Sequence, residues 1–181
     1  KVYCPLLAHY QVENIRTVLN ALDTYQVYYP DFEISEINIY NGLENIIQNT
    51  GFQGRWQILQ EHPKVIADVG HNIDGIKMVL KQLSHEKFSH LRIVYGAVKD
   101  KDVNSILSIL PKNNTSYYLC EPPISRKLPL QELHNLAINN YLTIEYDNEN
   151  PKLSYQKAID DAMEDDLILV LGSFFIVGEI I

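Results

Sequence analysis

The chain is poor in the features that announce the commonest enzyme classes. Cysteine occurs twice in 181 residues, at Cys4 and Cys120, too rarely and too far apart for a disulfide framework or a zinc knuckle. That usage suits a reducing, cytoplasmic setting. No G-x-x-x-x-G-K-[ST] occurs, so these residues contain no loop of the kind that cradles a triphosphate, and no G-x-G-x-x-G follows the first expected strand of the alternating segment. G-x-S-x-G and H-E-x-x-H are missing as well, which leaves hydrolase and zincin readings with nothing to stand on. Basic charge is scarce: 15 Lys and Arg face 23 Asp and Glu, a net charge of −8 that argues against broad contact with a nucleic-acid backbone. The most apolar segment, Leu167 to Ile181, is short and broken by Gly172, Ser173 and Glu179, so no membrane partner is expected. The chain opens with neither a secretory signal nor Met, which suggests a piece of a longer protein.

What the chain does have is apolar content, 46% of residues, enough for a substantial core. From Lys64 onward, β-rich runs alternate with helical spacing, the pattern of βαβ units and a mainly parallel sheet. Five strands are expected, at 64–68, 91–97, 116–120, 142–146 and 167–171. Helices are expected at 72–84, 101–110, 128–139 and 152–164, with a last one closing the chain. Residues before Gly54 lie outside that alternation. They carry two helical patterns, 11–25 and 35–47, after one β-prone start at Val2 to Leu7, and read as the tail of a neighbouring domain. The expected division is 1–53 and 54–181, with the stretch from Ile47 to Gly54, which holds Asn49, Thr50 and Gly51, as linker.

The densest polar cluster is Asp68-Val69-Gly70-His71-Asn72, which falls at a strand-to-helix turn, where α/β sheets bind ligands. A carboxylate there can accept hydrogen bonds from a ribose, and Gly70 lets backbone approach a ligand. The plainer reading is that Asp68 or Asn72 caps the helix and His71 is a surface residue. Thirteen residues before Asp68, Arg55 sits in a Gly-Arg-Trp turn that presents a guanidinium suited to phosphate, or to a structural ion pair. The acids of Lys99-Asp100-Lys101-Asp102 suit the start of the next helix. Arg126, in the loop after Glu121-Pro122-Pro123, is placed to face the same cleft. Ser173 offers a hydroxyl at a helix start, either for an anion or as a plain cap. Gln11 and Asn14 lie one helical turn apart, so their amides share a face.

Taken in order, H-Y-Q-x-x-N (9–14), N-G-L (41–43), G-R-W-Q (54–57), D-x-G-H-N-x-D-G (68–75), G-x-x-x-D-K-D (96–102) and L-G-S-F-F-x-V-G-E (171–179) resemble the folylpolyglutamate synthase and dihydrofolate synthase family. That family belongs to the Mur ligase superfamily. The resemblance implies an ATP-dependent ligase that joins L-glutamate to dihydropteroate or a folate through an acyl phosphate, with Mg2+. It implies that residues 54–181 are the Rossmann-like C-terminal domain, preceded by the end of the central ATPase domain. The P-loop, the magnesium ligands and the pterin-binding loops would then lie upstream in cis, and the fragment alone would be catalytically silent. By the same resemblance, Asn14 touches the adenine side of ATP, Arg55 reaches its phosphates and Asp68 holds the ribose or its surroundings. His71 and Ser173 fall near nucleotide and incoming glutamate. The family commonly reads D-G-A-H-N-P where this chain has Asp68 to Ile73, so the polar residues match and their spacers differ. Two other readings stand beside this one: another Mur-type amide ligase, and a non-catalytic Rossmann-like module that grips a small anion.

Overall fold

The computed structural model describes residues 2–181 and divides into two compact units, one ending at Gln53 and one over Gly54–Ile181. The first holds α1 (Gln11–Tyr28), α2 (Glu36–Glu44) and α3 (Ile46–Thr50). Ser35 and Asn38 form a capping box at the start of α2, and Gly51, at φ +64°, ends α3 in the left-handed conformation that glycine adopts without strain. Tyr25 stacks on Tyr29 and meets Phe32 edge to face. The β-prone start at Val2 to Leu7 forms no strand. Apolar side chains on α1 and α2, including Val12, Val18, Tyr28 and Ile37, remain exposed, so this unit does not close a core of its own.

The second unit is a six-stranded sheet in the order β1-β2-β6-β3-β4-β5. Its strands are β1 (Gln57–Glu61), β2 (Lys64–Ala67), β3 (Leu91–Tyr95), β4 (Thr115–Cys120), β5 (Ile144–Asn148) and β6 (Leu167–Leu171). All neighbours pair in parallel except β1, which runs antiparallel to β2 across a turn at His62–Pro63, a cis peptide bond. Every residue of β4 and β6 is buried, as parallel strands covered on both faces require.

Right-handed crossovers then dictate where the helices go. The chain steps in one direction from β2 to β3, β4 and β5, placing α4 (Ile73–Leu83), α5 (Val103–Ile109) and α6 (Leu130–Asn139) side by side on one face. The return from β5 to β6 reverses direction, so α7 (Pro151–Asp160) and α8 (Phe174–Ile180) cover the other face. Alternation along the strands serves both layers. Val94, Tyr118, Cys120, Ile168 and Val170 meet Ala158, Ile176 and Val177 on the α7–α8 side. Of the two rings next to Val94 and Tyr118 in sequence, Tyr95 and Tyr117 point the other way by the period of two and are equally buried.

Two expectations need correction. A sixth strand exists, β1, whose two-residue apolar centre, Ile58-Leu59, is too short to stand out from a chain scanned for βαβ alternation. The fourth expected strand, 142–146, lies two residues later as β5, because Leu142 closes helix α6 instead. Its amide donates to Ala137 O at 3.1 Å and that of Tyr141 to Ile138 O at 2.9 Å, the paired bonds of a Schellman end, with Tyr141 at φ +60° where glycine is usual.

A buried ionic clamp ties α7 to the sheet. Arg92 Nε and Nη2 donate to Asp166 Oδ2 at 3.1 and 2.9 Å, and Nη1 donates to the Tyr118 hydroxyl, which donates in turn to Asp161. Burial works against the Arg92 charge, and these hydrogen bonds more than offset it, so its pKa is raised.

Candidate functional site

The carboxyl ends of β2, β6, β3 and β4 lie side by side, and the chemistry-bearing residues of the second unit gather beyond them. Arg55 precedes β1, whose first residue, Gln57, pairs with the last of β2, Ala67, so the antiparallel edge strand returns the arginine turn to this same end. Asp68 fixes that turn from beneath. It is fully buried, its Oδ2 accepts the Trp56 amide at 2.9 Å, and its Oδ1 accepts the Gly70 amide at 2.8 Å. Trp56 sits at φ +50°, which costs a non-glycine residue energy, and the carboxylate supplies the compensating bond. The Gly54 carbonyl accepts the Val69 amide at 2.9 Å, and a Cβ on Gly54 would lie 2.8 Å from Val69 Cγ1. One aspartate therefore sets both the arginine turn and the strand end that carries His71.

His71 is half-buried with Nδ1 3.0 Å from the Val69 carbonyl. A carbonyl only accepts, so Nδ1 carries the proton and Nε2 is the acceptor in the neutral ring. Asn72, the next residue, caps α4 by accepting the Gly75 amide. Beside it, the Gly172 amide donates to Gly70 O at 3.1 Å, locking β6 to β2. Gly172 lies at φ +107°, and a Cβ there would stand 2.5 Å from Gly96 O, so only glycine fits between these strand ends.

Ser173 turns out as a cap: its Oγ accepts the Phe175 amide at 3.2 Å, its carbonyl accepts those of Ile176 and Val177, and only 3% of it is exposed. Of the two expected roles, the structure favours the structural one. Asp102 likewise caps α5, where hydrogen bonds from the Ser105 hydroxyl and amide hold its carboxyl below the usual range. Arg126 does reach this end of the sheet: the loops after β3 and β4 pair through Lys99 N to Arg126 O and Leu128 N to Ala97 O, and Arg126 Nη1 donates to Asp100 Oδ2 at 3.0 Å. In the first unit, Gln11 and Asn14 share a face as expected and are bonded to each other, Asn14 Nδ2 donating to Gln11 Oε1 at 2.8 Å.

The sequence reading missed two aromatic groups. Phe175 lies under the Arg126 guanidinium, 5.8 Å from ring centroid to carbon. Tyr95, completing β3, has the one buried side-chain polar atom left without a partner among the described residues, and burial pushes its pKa up. Neither carried a motif, because an aromatic residue at a strand end or helix start reads as core. Among the described residues no three His, Cys, Asp or Glu side chains gather as a metal site, and no helix is long and apolar enough to cross a membrane.

A doubly wound sheet with a cationic turn and polar strand ends along one edge defines a Rossmann-like ligand-binding α/β domain. Over residues 54–174 the chain matches the family described as Mur ligase, glutamate ligase domain, and it belongs to that family. It is similar to the dihydrofolate synthase/folylpolyglutamate synthase of Buchnera aphidicola subsp. Schizaphis graminum, 30% identical over 146 residues that make up 80% of this chain and 34% of that protein. Escherichia coli FolC, in a structure described as a complex with DHPP and ADP, superposes with a TM-score of 0.77 at 24% identity, covering 99% of this chain and 39% of that one. A bifunctional folylpolyglutamate synthase/dihydrofolate synthase described with Mn, AMPPNP and L-glutamate bound gives a TM-score of 0.69 at 24% identity, covering 85% and 36%. These two likenesses establish the fold. The chain spans about a third of the length of the Buchnera relative.

Proposed function

We propose that the chain is the C-terminal part of a cytoplasmic ATP-dependent ligase that adds L-glutamate to dihydropteroate, folates or both through an acyl phosphate. The division at Gly54 underlies a second part of the proposal, that residues 1–53 are the end of the central ATPase domain, whose exposed apolar faces on α1 and α2 suit burial against the rest of that domain. The P-loop and the ligands of Mg2+ then belong to the preceding segment in cis.

The observation that carries the reading is the Asp68-braced Gly54-Arg55-Trp56 turn at the carboxyl end of the sheet. ATP supplies the phosphoryl group that activates the pterin-linked carboxylate. Arg55 offsets phosphate charge as the acyl phosphate forms, a fixed cation aimed at developing charge rather than one recruited from solvent. Asp68 positions it and serves the ribose side. His71 presents Nε2 toward nucleotide and glutamate, and Ser173 shapes the start of α8 beside them. Asn14, with Gln11, offers an amide edge to adenine. Domain closure would exclude the water that hydrolyses an acyl phosphate.

The test is ligation of L-glutamate by the full-length protein. Arg55→Ala should slow it by about 2–4 kcal/mol in transition-state stabilisation, as expected on removing a preorganised charge, with the melting temperature unchanged. Turnover equal to wild type would remove Arg55 from the active site, and a wild-type protein that couples no glutamate to any pteroate or folate would refute the assignment.

A further inference from the structure

The turn from Gly54 to Gln57 holds a backbone that a chain does not adopt unaided, with Gly54 at φ +75° and Trp56 at φ +50° on either side of Arg55. Asp68 braces the far side through the Trp56 amide. The near side is closed by the first residue of β1. Gln57 Oε1 accepts the Gly54 amide at 2.8 Å, a half-buried bond that reaches back three positions. A backbone amide can only donate, so the carboxamide atom facing it is the oxygen. The Gly54 carbonyl is taken as well, by the Val69 amide at 2.9 Å. Both polar groups of Gly54 are thus held, and the residue before Arg55 cannot rotate without breaking one of these bonds.

Strand β1 asks for no glutamine at this position. Gln57 pairs with Ala67 through its backbone and its side chain is half-buried, so a β-branched or apolar residue would serve the strand at least as well. What glutamine adds is an acceptor at the one reach that closes the turn. The acceptor matters because the residue it fixes is a glycine, which without a Cβ has the widest choice of other conformations. We infer that Gln57 is a positioning residue that acts through Arg55: by fixing Gly54 it presets the direction in which the guanidinium leaves the turn, so that phosphate is met without reorganisation. This rests on the role proposed above for Arg55 at the phosphates of ATP, and adds to it the residue on which that role depends.

In the full-length protein, Gln57→Met keeps the side-chain length and removes the oxygen. It should lower kcat/KM for ATP about three- to tenfold, the net worth of one hydrogen bond, and weaken ATP binding in calorimetry by a similar factor. Gln57→Glu keeps an oxygen at the same reach and should stay near wild type on both measures. In the Arg55→Ala background Gln57→Met should change neither quantity further, because a residue that works through the guanidinium then has nothing left to orient. If Gln57 merely stabilised the domain, Gln57→Met would lower kcat/KM by the same factor in both backgrounds, and that equality overturns the inference. Wild-type kcat/KM and ATP affinity in Gln57→Met overturn it too, as does a Gly54 amide that exchanges no faster in that variant. The calorimetric cycle needs no turnover, so it separates this inference from the ligase reading. Coupling between Gln57 and Arg55 in ATP affinity, in a protein that ligates no glutamate, keeps the positioning role and removes the proposed function; ligation of glutamate with additive effects does the reverse.

Discussion

Replacing Asp68 with alanine tests the central structural claim directly. The substitution removes the acceptor for two backbone amides, Trp56 N at 2.9 Å and Gly70 N at 2.8 Å, at a position with no solvent exposure. Water does not replace it there. Each orphaned amide costs about 1–3 kcal/mol, and the left-handed Trp56, at φ +50°, loses the bond that offsets a strain on the order of 1 kcal/mol. The two amides alone put the expected destabilisation of the Gly54–Ile181 unit at roughly 2–6 kcal/mol, or a melting temperature lower by roughly 8–24 °C. Asp68→Asn keeps one acceptor and should fall about midway. The assay is built into the chain, because Trp56 is its single tryptophan and is 2% exposed. Urea unfolding followed by tryptophan emission, with amide exchange read at Trp56 and Gly70, reports on this turn and little else. An Asp68→Ala protein that unfolds within about 0.5 kcal/mol of wild type, with the Trp56 amide still protected, would refute the claim that the aspartate braces the turn.

Three further outcomes follow from the same geometry. Arg92→Met strands Asp166, whose side chain is 3% exposed, and should destabilise by about 3 kcal/mol in chemical denaturation; a neutral result would show that the clamp adds nothing. Burial raises the Tyr118 pKa to about 12, despite the favourable Arg92 contacts. Between pH 10 and about 12 the unfolded chain releases that proton and the folded one retains it, so stability should fall with rising pH across that window and less steeply in Tyr118→Phe. Equal slopes in the two proteins would assign the alkaline transition elsewhere. Gly172→Ala must fit a Cβ 2.5 Å from Gly96 O at φ +107°, so it should lower stability by at least about 2 kcal/mol; a crystal structure of the variant with β2 and β6 undisplaced would contradict the close-approach argument.

The periodic parts of this molecule were legible because periodicity is local. Val65-Ile66-Ala67 and Leu167 to Leu171 read as buried strands, and Ile76, Val79 and Leu83 as one face of a helix, and the structure has them so. Helix starts at Asn72, Asp102 and Ser173 were marked by the oxygen that caps them. Leu142 was misread because its role is set by a helix that ends before it, and β1 was missed because an edge strand needs little apolar signal. The candidate residues Arg55, Asp68, His71, Ser173 and Arg126 were named from sequence, but the long-range partners of Asp68 and Arg126 were not.

Sequence alone determined the α/β alternation, the order of the elements and the family motifs, since spacing, caps and turn residues act over a few positions. Only the tertiary structure decided that Asp68 reaches across to the Trp56 amide and that Arg126 keeps a donor edge between Asp100 and Phe175. Those outcomes depend on which distant strand ends are brought together, and a hydrogen bond between residues twelve to twenty-six positions apart leaves no periodic trace in the chain.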